Sequence, residues 1–114
     1  MRVGDTTMST IEWALSAESE RQRVTSNNIA NINTPYFRSS RVDFEASLKQ
    51  ARMSGGRDAP VTTTRQAGTP QNLNGNDVAL EEETQILNKS NLHYEALANA
   101  LSLKFNVMRS AIGR

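Results

Sequence analysis

The sequence has no cysteine, a single histidine, a single tryptophan and three prolines in 114 residues. Without cysteine there is neither a disulfide framework nor a thiolate metal site. His93 has no second imidazole or thiol with which to complete a ligand set or a nucleophile and base pair, so it reads as a solvated or interfacial histidine. Aromatics make up 5% and hydrophobic residues 37% of the chain, too few large side chains for a thick core. The net charge is +1 and charges of both signs are interspersed along the chain, which leaves no footprint for nucleic acid or for an anionic membrane surface. No apolar run is long enough for a membrane span, and no basic start leads into the apolar stretch of a cleaved secretory signal. The expectation is a chain that stays in the cytoplasm or leaves it by a route that reads no cleaved signal. Gly55-Gly56 and Gly75 do not form a phosphate-cradling pattern. Consecutive Glu81, Glu82 and Glu83 point about 100° apart on a helix and suit a helix N-terminus better than a paired-carboxylate site. No catalytic residue, cofactor or metal is expected.

What is present is helical. From Ser9 to about Asn31 neither glycine nor proline interrupts the pattern, and Ser9 to Glu12 matches a capping box with Met8 and Trp13 as its hydrophobic staple. Pro35 disfavours the α region at Thr34, and Asn33 can take a left-handed C-cap. Val42 to Met53 predicts a short helix capped by Asp43, with Phe44, Leu48 and Ala51 on one face. Residues 54–76 hold four of the six glycines and two of the three prolines and are expected to be loop or extended structure. A second long helix runs from about Asp77 to Ile112. The fold class is mostly α: two long terminal helices form an antiparallel coiled-coil hairpin, with an irregular or extended middle segment and one possible short helix. The chain divides into an N-terminal helix (1–36), a middle segment (37–76, with the possible helix at 43–53) and a C-terminal helix (77–114), together one domain.

Both long helices carry heptad seams. Met8, Ile11, Leu15, Glu18, Gln22, Thr25, Ile29 and Ile32 alternate three- and four-residue steps, as do Leu80, Thr84, Leu87, Asn91, Tyr94, Ala98, Leu101, Phe105, Met108 and Ile112. Folding the chain antiparallel pairs Met8 with Phe105, Ile11 with Leu101, Leu15 with Ala98, Glu18 with Tyr94, Gln22 with Asn91, Thr25 with Leu87, Ile29 with Thr84 and Ile32 with Leu80. The polar layers then coincide, so groups costly to bury alone satisfy one another.

Ser26 to Phe37, SNNIANINTPYF, places four asparagines around Ile29 and Ile32, although asparagine is a poor helix former. Asn27 and Asn31 project away from the hairpin partner, while Asn28 and Asn33 flank the seam. An amide offers a donor and an acceptor without charge, so it can be buried against a neighbouring chain at less desolvation cost than an ion. Asn27, Asn28, Asn31, Asn33, Pro35, Tyr36 and Phe37 are the candidate subunit contacts.

The same stretch, followed by Arg41-Val42-Asp43-Phe44-Glu45, resembles the N-terminal signature of the bacterial flagellar axial proteins of rod and hook, and within them a basal-body rod protein. Asn74 to Glu83, NGNDVALEEE, and His93-Tyr94 through Met108 to Ile112 are similar to the C-terminal elements of that rod protein. Tyr36 stands where many axial proteins carry glycine, so a left-handed turn is not implied there. Ala79 stands where the family often has an acidic helix cap, which assigns the cap to Asn76 or Asp77. The resemblance implies a structural subunit of the proximal rod that assembles helically, with terminal helices in an inner coiled-coil layer. Its implied partners are other copies of itself, other rod proteins, the membrane-ring adapter at the rod base and the flagellar type III export apparatus. The implied location is the periplasmic rod of the basal body. The alternatives are the neighbouring proximal-rod protein of the same family and a non-flagellar helical-hairpin adaptor that binds one partner helix.

Overall fold

The computed structural model describes residues 2–54, 63–66 and 71–113, with backbone alone at 2–6, 54 and 63–66. In chain order the elements are helix α1 (Arg2–Ala30), strand β1 (Ser40–Val42), helix α2 (Phe44–Ser54), strand β2 (Thr63–Gln66) and helix α3 (Leu80–Ile112). The two long helices pack antiparallel, the mostly α hairpin expected from the pattern. β1 and β2 add a two-stranded antiparallel ribbon in which Ser40 faces Gln66, Arg41 faces Arg65 and Val42 faces Thr63. One extra residue on β2 makes a bulge between the last two pairs. The remaining residues expected to be irregular, 55–62 and 67–70, lie outside the described ones. Among the described residues no helix is long and apolar enough to cross a membrane.

Two sequence readings of α1 are corrected. The helix begins at Arg2, so Ser9 and Glu12 lie in its interior and form no capping box. No proline precedes Ser9, and a cap worth about 1 kcal/mol is outweighed by continuing the backbone ladder through seven more residues. Trp13 is not a staple. It is buried with Ala17 against Ala51 of α2, and its ring meets Phe44 edge-on at 5.5 Å between centroids and 63° between planes, a favoured aromatic geometry. The Arg21 guanidinium lies over the Phe44 ring, 5.2 Å from its centre. The predicted α2 is present. The Asp43 carboxylate accepts from the Ala46 amide at 3.0 Å, the N-cap bond its sequence position called for.

The hairpin register differs from the seam arithmetic. Ser90, fully buried, donates to the Glu18 carboxylate at 2.8 Å and lies 3.2 Å from the Glu18 carbonyl. His93 Nδ1 lies 3.3 Å from the other carboxylate oxygen. Glu18 thus meets Ser90 and His93, not Tyr94, whose side chain is exposed. On α3 the inward line runs through Glu83, Leu87, Ser90, Leu97, Leu101, Lys104 and Met108, whereas Leu80, Thr84, Asn91 and Phe105 face solvent. Ala98 is half-buried. The expected seam keeps Leu87, Leu101 and Met108 and is displaced by one residue in the alternate layers. On α1, Glu18 and Thr25 are buried, and Met8, Ile11, Leu15, Gln22 and Ile29 are half-buried, as is Ile32 in the turn that follows. The small Ser90 side chain lets α3 approach and adds a hydrogen bond to a buried carboxylate that Arg21 also approaches, at 3.5 Å.

Candidate functional site

The two sequence elements that stand out, SNNIANINTPYF and NGNDVALEEE, meet in space. α1 loses its regular ladder at Ala30 and tightens into shorter turns, with the Asn31 amide shared between the Asn27 and Asn28 carbonyls and the Thr34 amide donating to Asn31 at 2.9 Å. Helix ends leave carbonyls without partners. Here the carboxamide of Asn76, fully buried, supplies them: Nδ2 lies 2.8 Å from the Asn31 carbonyl, 2.8 Å from Thr34 and 3.3 Å from Ile32. The other side of the same amide accepts from the Val78 amide at 2.6 Å. A residue forty-five positions away therefore closes the end of α1.

Asn28 answers why asparagine was placed inside a helix. Its side chain is fully buried. Oδ1 accepts from the Ser40 amide at 3.0 Å, and Nδ2 donates to the Ser40 carbonyl at 2.8 Å and to the Glu83 carboxylate at 3.0 Å. Three elements, α1, β1 and α3, converge on one uncharged group. A carboxylate has no donor for Ser40 or Glu83, and a lysine has no acceptor for the Ser40 amide. Asn28 is therefore engaged within the chain, which corrects the expectation that it turns towards a neighbouring subunit.

Charge completes the joint. Arg41 lies 2.8 Å from Glu82 and 2.8 Å from the buried Glu83. Burial pulls the Arg41 pKa down, but the hydrogen bonds and charges of Glu82 and Glu83 more than offset this and raise it above the ordinary arginine value. Asp77 accepts from the Ser39 amide at 2.6 Å, donates its own amide to the Phe37 carbonyl at 3.2 Å, and has Arg38 at 3.8 Å. Neither Asn76 nor Asp77 caps α3. The N-cap is Ala79, with no side-chain hydrogen bond, because both polar groups are committed to the α1 end. Glu81, Glu82 and Glu83 remain in the first turn of α3, where the helix dipole favours acids.

The turn between the elements is left-handed at Tyr36, with φ 62°, and not at Asn33. The Tyr36 amide donates to the Asn74 carbonyl at 3.1 Å, and the aromatic ring lies over Gly75, whose φ is 84°. A Cβ on Gly75 would sit inside the ring contact. Tyr36 takes the conformation a glycine would normally supply, its backbone fixed by that bond across the joint. Of the candidate contact residues, Asn28 is inside the joint, Asn31 and Phe37 are half-buried, and Asn27, Asn33, Pro35 and Tyr36 face outward. Asn76, Asp77, Glu83 and Arg41 were not among the sequence candidates. Their signal was pairing by chemistry, an amide and acids near α3 matched to bare backbone near α1, which no local periodicity contains.

The joint holds no nucleophile and base pair. Its chemistry is mechanical: it fixes the angle and register of two long helices through polar groups.

Residues 5–38 match the family model described as flagella basal body rod protein. The chain is 31% identical to the flagellar basal body rod protein FlgB of Escherichia coli (strain K12), over 87% of this chain and 87% of that protein. It is 29% identical to FlgB of Bacillus subtilis (strain 168), over 93% and 92%, and 28% identical to that of Aeromonas hydrophila, over 89% and 88%. The matched family segment is α1 with the turn after it, and the longer alignments take in both sides of the joint. With its two signature elements locked together by Asn28 and Asn76, the chain belongs to the family of flagellar basal body rod proteins FlgB.

Proposed function

We propose that this chain is a structural subunit of the proximal rod of the bacterial flagellar basal body, assembling helically into the drive shaft that transmits torque. The observation that carries this reading is the joint. A shaft subunit must pass load between its long helices without a change in their angle, and a buried set of directional hydrogen bonds resists such a change better than interchangeable apolar contacts do. The outward residues of the turn, Asn27, Asn33, Pro35 and Tyr36, are the proposed contacts to neighbouring subunits. A heterologous contact of this kind that does not close on itself builds a helical tube. The partners in this reading are other copies of the chain, other rod proteins, the membrane-ring adapter at the rod base and the flagellar type III export apparatus. The site of assembly is the periplasm.

Complementation tests it. In a motile bacterium whose own FlgB is deleted, this chain is expected to restore rod assembly and swimming. Asn27→Lys combined with Tyr36→Glu is expected to leave the protein expressed and exported but absent from basal bodies. Swimming that persists with the double variant would remove the outward turn from the interface. Failure of the unmodified chain to enter basal bodies would remove the rod role itself.

A further inference from the structure

α3 has a second apolar line that its own chain leaves open. Leu92, Ala96, Ala100, Leu103, Val107 and Ala111 are all exposed, with Leu92 at 66%, Leu103 at 64% and Val107 at 59%. Their steps are four, four, three, four and four residues, a repeat of eleven that follows a nearly straight helix. The inner face of α3 is occupied by α1. The outward face of α1 cannot cover this line in another copy, because it presents Thr10, Glu12, Ser16, Ser19 and Arg23.

We propose that the line binds α3 of a second copy of this chain, antiparallel, in a two-fold symmetric dimer. The spacing reads the same in both directions, so every level of such a pair is filled. Leu92 meets the second copy's Ala111, Val107 its Ala96, and Leu103 its Ala100. Each level sets one large side chain against one alanine, the alternation that lets two helices interdigitate. Parallel pairing would stack leucine on leucine and alanine on alanine, leaving gaps at half the levels.

The contact extends over about 30 Å of helix and is narrow, below the roughly 800 Å² per partner of a standard interface. It is therefore weak and reversible, so that association depends on concentration. The dimer closes on itself, unlike the open contact a rod requires. It covers the line while the chain is outside an assembly, and it stands or falls independently of the rod role.

The absence of native cysteine makes the test direct. One preparation carries Ala96→Cys and another Val107→Cys, and the two are mixed and oxidised. The expected product is the mixed disulfide between the two variants, well above its statistical share. The mass of the unmodified chain by light scattering is expected to double with concentration, and Leu103→Glu with Val107→Glu to hold it at one chain while helicity by circular dichroism is unchanged. Disulfides mainly between identical variants would overturn the antiparallel dimer. So would a mass that stays at one chain up to high concentration, or association that the glutamate variant leaves intact.

Discussion

The two ends of the helical hairpin are built on opposite terms. At the joint end the fully buried side chains are polar, among them Asn28, Asn76, Ser39 and Glu83, and the backbone of one element is finished by side chains of another. Along α3 beyond the joint the large apolar residues Leu92, Leu103, Val107 and Ile112 face solvent. A single soluble domain would put its apolar groups inside and its amides outside. The inversion separates two tasks: directional bonds set the geometry of the subunit, and apolar surface is kept for other chains.

The largest expected effect breaks the joint at its centre. Asn28→Asp removes the donors to Ser40 and Glu83 and places a second acid 3.0 Å from a buried carboxylate. It is expected to destabilise the chain by about 3 kcal/mol or more, read by urea unfolding at pH 7. Adding Glu83→Gln, which supplies a donor to the new acid, is expected to recover part of that loss. A cost under about 1 kcal/mol would mean that the convergence on Asn28 is not what holds the three elements.

Next is Asn76→Ala, which strips the donor from the α1 carbonyls and the acceptor from Val78. The expected cost is about 2–3 kcal/mol, with faster hydrogen exchange at the Val78 amide and in residues 28–37. Leu103→Ala serves as its counterpart at the other end. Because that side chain is exposed, the expected change in the dilute chain is within about 0.5 kcal/mol. Equal costs at the two positions would erase the contrast between the ends.

A smaller effect has the opposite sign. Tyr36 holds a left-handed backbone that costs an ordinary side chain about 1–2 kcal/mol. Tyr36→Gly relieves it while adding freedom to the unfolded chain and is expected to stabilise by about 0.5 kcal/mol in thermal unfolding. Gly75→Ala is expected to destabilise, and less so in the Tyr36→Gly background, where the ring no longer opposes the new methyl. A loss of stability in Tyr36→Gly would show that the ring over Gly75 contributes more than the backbone strain costs.

The smallest effect lies outside both regions, on the surface of α1. The Arg23 hydrogen bond, opposed by slight burial and aided by the Arg23 charge, holds Glu20 below the usual carboxylate range. A depressed folded pKa contributes stability above the unfolded value, and that contribution is lost as pH falls through the folded one. Acidification through and below the ordinary glutamate range is therefore expected to weaken wild type slightly more than Glu20→Gln, compared by thermal unfolding across that range. An identical pH dependence in the two proteins would count against the pairing.

Much of the fold could be read from residue patterns: two long helices, the short helix with its Asp43 cap, and the antiparallel hairpin. What could not be read has a shared physical cause. The seam was traced through apolar spacing, but the true contact line of α3 passes through Glu83 and Ser90, residues that look solvent-facing until a partner for each is known. Leu87 fits a step to Asn91 or to Ser90 equally well, and only Glu18 across the interface decides between them. At the site, SNNIANINTPYF announced that its asparagines had a purpose, and NGNDVALEEE stood out separately. That Asn28 and Asn76 tie the two together could not be seen locally, because the bonds span 55 and 45 positions of chain.

The amide of Asn28 has one further consequence. Ser40 turns its own N–H and C=O away from β2, towards α1, and both are taken by a side chain of the same molecule. An open strand margin is a template on which any extended peptide can add itself. Along β1 that template is already occupied at Ser40, so an extended segment of an improper neighbour finds no free backbone pair there on which to add itself.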